Sequence, residues 1–167
     1  MTQLRGLPPL IDERARVLIL GSFPSEASLA AQQYYAHPQN QFWRILGAIL
    51  GQALPAMDYA ARQSAVKAAG VAIWDVYGGC RREGSLDSAI REAAANDVAA
   101  LKKIAPQLRR VCFNGKTAGK FAPRLAALGF ETFLLPSTSP AYTLAFDAKL
   151  DAWRSALAEL TQPFGAA

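Results

Sequence analysis

Val17-Leu18-Ile19-Leu20-Gly21-Ser22-Phe23-Pro24-Ser25 sets four aliphatic residues directly ahead of a Gly/Ser/Pro loop. A short apolar run bounded by turn residues reads as a strand buried on both faces of a parallel sheet, here residues 16–20. Gly21–Ser25 is then the loop at its carboxyl end. In open α/β sheets ligands bind just beyond such ends.

Working outward, three more runs read as strands: residues 71–76, 110–113 and 131–135. Helical patterns separate them. Residues 40–50 carry an apolar stripe of Phe42, Trp43, Ile45, Leu46 and Leu50, with Gly47 and Gly51 near the end as cap candidates. Residues 57–69 stop at Gly70, residues 117–128 stop at Gly129, and residues 149–161 form a last helix before a Gln-Pro-Phe-Gly tail at 162–165. Residues 77–84 read as a glycine- and arginine-rich loop, and 85–94 and 97–105 as short helices. Strands alternating with helices predict an α/β fold, a three-layer α/β/α sandwich around a four-stranded parallel sheet, as a single domain over 1–167. The loops after the four strands, at 21–25, 75–79, 114–115 and 136–143, should meet at one edge of that sheet.

Composition narrows the classes. With 51% hydrophobic and 19% charged residues the chain is an ordinary globular α/β protein, not a disordered one. No apolar run approaches the roughly 20 residues that span a bilayer, and the first ten residues lack a basic segment followed by a signal-type apolar core. A cytoplasmic protein with no membrane association is the expectation. Cys80 and Cys112 are far apart and lack Cys-x-x-Cys spacing, so free buried thiols are expected and neither a metal site nor a cofactor. Eighteen Lys and Arg against thirteen Asp and Glu give a formal charge of +5. That balance suits a polyanionic partner without requiring one, because the basic residues are dispersed in small groups.

Chemistry concentrates in Gln33-Tyr34-Tyr35-Ala36-His37-Pro38-Gln39-Asn40-Gln41-Phe42-Trp43. Tyr34 and Tyr35 offer flat faces, and His37, Asn40 and Gln41 offer hydrogen-bonding groups within a few residues. Such a cluster suits a pocket that stacks on one planar heterocycle and reads its edge. Each residue also has a plainer reading. Asn40 stands where helix caps stand, two tyrosines commonly fill a core, and His37 reads as a satisfied structural residue.

Taken together, the two segments resemble the uracil-DNA glycosylase superfamily. Gly21-Ser22-Phe23-Pro24-Ser25 occupies the first signature loop, and Tyr35-Ala36-His37-Pro38-Gln39-Asn40-Gln41-Phe42-Trp43 is similar to the run of its mismatch-specific branch. The Gly-Ser-Phe-Pro-Ser form is that of the hypoxanthine (deoxyinosine) DNA glycosylase branch. The resemblance implies a metal-free, monofunctional, monomeric enzyme that flips deaminated bases out of DNA and excises them. It makes Asn40 the catalytic residue and Tyr35 the stacking face. Gly21, Ser22, Phe23, Trp74, Asp75 and Asn114 would complete the base pocket, and Ser25, Lys116, Ser137, Thr138, Ser139 and Tyr142 would contact DNA.

Two departures stand out. Phe23 occupies the place where most of the superfamily has a catalytic Asp or Asn, and Leu135 replaces the His or Asn of the last motif. They leave room for another outcome, a mismatch- or abasic-DNA-binding module with little or no catalysis.

Overall fold

The structure, a computed structural model, describes residues 2–160. In chain order the first elements are β1 (Gln3–Arg5), β2 (Val17–Gly21), α1 (Glu26–Ala31), α2 (Phe42–Leu50), α3 (Tyr59–Ala68) and β3 (Val71–Asp75). They are followed by β4 (Tyr77–Arg81), β5 (Arg91–Ala95), β6 (Arg110–Asn114), α4 (Lys116–Gly119), α5 (Ala122–Ala127), β7 (Glu131–Leu135) and α6 (Phe146–Leu157).

The main sheet is all parallel, in the order β3-β2-β6-β7. Period-two alternation along its strands builds a core on each face. Val17 and Ile19 of β2, with Val71 and Ile73 of β3, pack against Phe42, Ile45 and Leu46 of α2 and Trp153 of α6. Leu18, Leu20, Val111 and Phe113 face the other way, onto Val98, Leu101, Leu125 and Phe130. All five residues of β2 are buried, as an aliphatic run with no polar alternation requires. This is the predicted α/β/α sandwich.

A second sheet was not predicted. Residues 77–84 are not simply a loop: β4 pairs antiparallel with β1 on one side and β5 on the other. Residues 85–94 do not form a helix but a 3-10 turn, Asp87–Ala89, followed by β5. Arg91-Glu92-Ala93-Ala94-Ala95 has good intrinsic helix propensity, and pairing with β4 overrides it. Register shifts along β4 and a left-handed Glu92 (φ 49°) record how irregular that pairing is. The segment 97–105 likewise winds as a 3-10 helix, Val98–Lys103, just ahead of Pro106.

The helix expected over 117–128 is split into α4 and α5, with Pro123 in the first turn of α5. Proline has no N–H to continue the preceding helix. Helix α6 starts at Phe146, ahead of the expected 149, and position 161 and the tail at 162–165 lie outside the described residues. Among the described residues no helix is long and apolar enough to cross a membrane. Cys80 and Cys112 are free and buried, and burial pushes the Cys112 thiol up to about 12.

Candidate nucleic-acid active site

The carboxyl ends of the parallel strands open onto a cavity of about 520 Å³. The loop after β2 forms one wall. A β-carbon added at Gly21 would lie 2.5 Å from Asp75 Oδ1 and 2.9 Å from the Tyr35 hydroxyl, so only glycine lets the ends of β2 and β3 close on Tyr35. Ser22 Oγ donates to Asp87 Oδ1 at 2.6 Å. Phe23 is buried and lines the cavity, with the Arg82 guanidinium 5.2 Å from its ring centre and that same guanidinium donating to the Pro24 carbonyl. Ser25 caps α1 by accepting from the Ser28 N–H.

The second wall is the segment before α2. Tyr35 adopts a left-handed backbone, φ 54°, which is costly for a bulky residue and persists only where neighbours enforce it. They do so here. Tyr34 N–H donates to the Tyr59 hydroxyl, Trp43 Nε1 donates to the Tyr34 carbonyl, and Ala36 N–H donates to Ser28 Oγ. One face of the Tyr35 ring stacks on Phe42 at 3.9 Å between centroids and 17° between planes. Its hydroxyl is buried beside Asp75 and Asn114 without closing a well-formed hydrogen bond, and burial raises its pKa above the usual range. Asn40 lines the cavity half-buried, and its Oδ1 accepts the Phe42 N–H at 2.9 Å. The N-cap of α2 is Gln41, so this contact is an Asx-type turn just ahead of the helix, and it coexists with the cavity position in one side chain. His37 also reaches the lining, with Nδ1 accepting from the Gln39 N–H.

Asp75 ends β3 at the cavity floor. It is 4% exposed, and its Oδ2 is buried without a hydrogen-bond partner. Desolvation first, and then the Asp87 charge, push its pKa up to about 7, against a smaller opposing pull from Arg82. A carboxyl whose pKa is raised on folding binds its proton more tightly in the native state. Its contribution is therefore complete below about pH 4 and is lost as pH rises through the folded value. Unfolding free energy should fall by a few kcal/mol between about pH 4 and about pH 7 through this group. Asp75→Asn should remove that part of the slope, read from urea melts across the same window.

The third wall is the loop after β7, and its anchors are unusually numerous. Asn114 Nδ2 donates to Thr138 Oγ1 while Thr138 N–H donates to Asn114 Oδ1, both at 3.0 Å. Gln41 N–H donates to the Thr138 carbonyl, Trp153 Nε1 to the Pro136 carbonyl, and Lys149 Nζ to the carbonyls of Tyr142 and Ser139. Lys149 is 1% exposed, so its ammonium serves the loop and burial lowers its pKa.

Most of the expected residues thus meet in one place: Gly21, Ser22, Phe23, Ser25, Tyr35, Asn40, Asp75, Asn114, Ser137, Ser139 and Tyr142 all line the cavity. Two expectations are corrected, at Trp74 and Thr138. Trp74 points away from it, because strand neighbours face opposite sides, and its Nε1 donates to the Leu7 carbonyl. Lys116, expected to contact DNA and not to enter the pocket, is exposed at the start of α4 outside the lining. Thr138 also lines the wall but is fully enclosed, its hydroxyl taken by Asn114, so it is a clasp and offers no side chain to DNA. Leu135 packs into the core below the site.

Sequence reasoning missed the 85–88 turn and its Asp87, which sits opposite Ser22. It also missed Arg82 and Lys149, whose partners are backbone carbonyls that no motif announces.

A cavity of mixed lining at the carboxyl edge of a parallel sheet, walled by a strained aromatic and an asparagine, stands where α/β proteins of this class bind their ligands. Comparison with known proteins makes this specific. The model of the Uracil DNA glycosylase superfamily matches residues 8–161, and the chain belongs to that superfamily.

A hypoxanthine DNA glycosylase of Methanosarcina barkeri (strain Fusaro / DSM 804) is 41% identical over 152 residues, covering 91% of this chain and 96% of the relative. The hypoxanthine DNA glycosylase of Methanosarcina acetivorans is 44% identical over 137 residues, covering 82% and 87%. A solution NMR structure of a candidate uracil DNA glycosylase from M. acetivorans superposes with a TM-score of 0.87 at 40% identity, covering 95% of this chain and 99% of that one.

Proposed function

We propose that the cavity receives a deaminated base rotated out of DNA and that the protein hydrolyses its N-glycosidic bond, leaving an abasic site. Hypoxanthine is the first substrate, with uracil and xanthine as further ones. The observation that carries this reading is the meeting of Tyr35 and Asn40 with the strand-end loops in one cavity, in a chain of this superfamily.

Flipping forfeits the stacking of the base in the duplex, and an aromatic wall replaces it. Tyr35 fills that role, backed by Phe42 and fixed in its strained backbone before DNA arrives. The lactam edge of the base meets Asp75 and the peptide N–H groups of the Ser22-Phe23 turn. As the bond from C1′ to the base nitrogen breaks, its electron pair leaves with the base and positive charge grows on the sugar. A water oxygen then adds to C1′ and sheds its proton to solvent or to the departing base.

An amide is no general base, but Asn40 Oδ1 keeps a lone pair beyond the one given to Phe42 N–H, and that lone pair orients the water. Phe23 supplies apolar wall where a water-holding side chain is usual in the superfamily, which leaves Asn40 to do that work. Among the described residues no lysine lines the cavity, in keeping with a monofunctional enzyme that forms no Schiff base. The formal charge of +5 favours DNA as the partner, and we place the reaction in the cytoplasm with the protein acting as a monomer.

The test uses matched oligonucleotides bearing one deoxyinosine, deoxyuridine or deoxyxanthosine, with alkali to cleave any abasic product. Strand breaks greatest for deoxyinosine are expected. Salt-sensitive binding with no breaks in any of the three would replace the enzyme with a binding module.

A further inference from the structure

We propose that Leu86 is the wedge that enters the duplex and fills the gap left by the flipped nucleotide. This rests on the glycosylase reading above and goes on to assign a residue that neither the motifs nor the fold supplies.

A protein that holds a base outside the stack must stop it from returning, and an apolar side chain pushed between base steps does this. Such a residue must be large and apolar, exposed in the free protein, at the mouth of the base cavity, and held on a rigid segment. Leu86 meets all four conditions. It is 61% exposed, above every other large hydrophobic exposed among the described residues, and it belongs to the cavity lining. A single exposed leucine is ordinary on a protein surface, so its support decides the matter.

The turn that carries Leu86 is pinned on both sides. Ser85 Oγ accepts the Glu26 N–H at 2.9 Å, and Asp87 Oδ1 accepts the Ser22 hydroxyl at 2.6 Å. The Leu86 carbonyl accepts the Ala89 N–H and closes the 3-10 turn. The fold therefore fixes the backbone on either side of a leucine that it leaves in water. Those anchors run to the loop after β2 and the start of α1, so the wedge and the base pocket move as one body. The loop after β7 carries an exposed leucine, Leu144 at 40%, but outside the cavity lining, and its exposed aromatic, Tyr142, which does line the cavity, is the competing candidate at 45% exposure.

The experiment compares deoxyinosine excision from double-stranded and single-stranded oligonucleotides by wild type, Leu86→Ala, Leu86→Phe and Tyr142→Ala. Single-stranded substrate has no partner strand to reclaim the base and needs no wedge. Leu86→Ala should lose at least about tenfold on duplex and little on single strands, Leu86→Phe should recover most of the duplex rate, and Tyr142→Ala should not show this selectivity. A 2-aminopurine opposite or beside the lesion should brighten less with Leu86→Ala than with wild type, reporting reduced unstacking at equal occupancy.

Equal losses on both substrates, no loss, or a duplex-selective loss in Tyr142→Ala instead would overturn the assignment. A wild-type protein that excises nothing would refute the glycosylase itself, an outcome separable from all of these.

Discussion

Replacing Asn40 by alanine is expected to lower single-turnover excision of hypoxanthine by about 10²–10³-fold with the fold intact, the size typical of losing one transition-state-positioning amide. The side chain has two jobs, and the magnitudes separate them. In the turn ahead of α2 it accepts the Phe42 N–H, a hydrogen bond worth about 1 kcal/mol. That is small beside the roughly 5–15 kcal/mol that keeps a domain folded, so unfolding cannot account for such a loss. Asn40→Ser sharpens the point. Serine can accept the same N–H in an equivalent turn but is too short to hold the same water, so stability should return and activity should not. Recovery of activity in Asn40→Ser would reduce Asn40 to a turn-forming residue.

Phe42→Ala should have the largest effect on stability, about 3–5 kcal/mol in urea unfolding, because a fully enclosed aromatic leaves a cavity its neighbours cannot close. Phe42 is 0% exposed, with Trp43 and Trp153 edge-on at 5.0 and 5.8 Å and Tyr35 stacked above it. The ring therefore joins the core under the sheet to the face proposed to meet the base. Without it the Tyr35 ring loses the surface it stacks on, and excision should fall further than the remaining folded fraction explains. A variant with full activity per folded molecule would show that Tyr35 is not held by Phe42.

How much of this was legible in the sequence follows from what each element depends on. The four parallel strands announce themselves because a doubly covered strand must be apolar without interruption, and Gly21, Asp75, Asn114 and Pro136 mark where each one ends. One wall of the cavity was readable because Tyr34 to Trp43 are neighbours in sequence as well as in space.

The small sheet was not readable. Tyr77-Gly78-Gly79-Cys80-Arg81 has no strand periodicity, and its pairing partner Gln3–Arg5 lies more than seventy residues away. Consequently the 85–88 turn, and with it Asp87 and Leu86, was expected on a helix. The place of Trp74 was in principle available, since a strand cannot aim two successive side chains at one cavity. The role of Thr138 was not, because a buried threonine and an exposed one look alike until Asn114 is seen to hold it.

The central claim, that this cavity releases a free deaminated base by hydrolysis, is tested most directly by mass spectrometry of a deoxyinosine duplex incubated with the protein. Free hypoxanthine, equimolar with a backbone that stays intact until alkali is added, is the expected result. Retained duplex with salt-sensitive binding and no free base would contradict the account and leave a DNA-binding protein on a glycosylase fold.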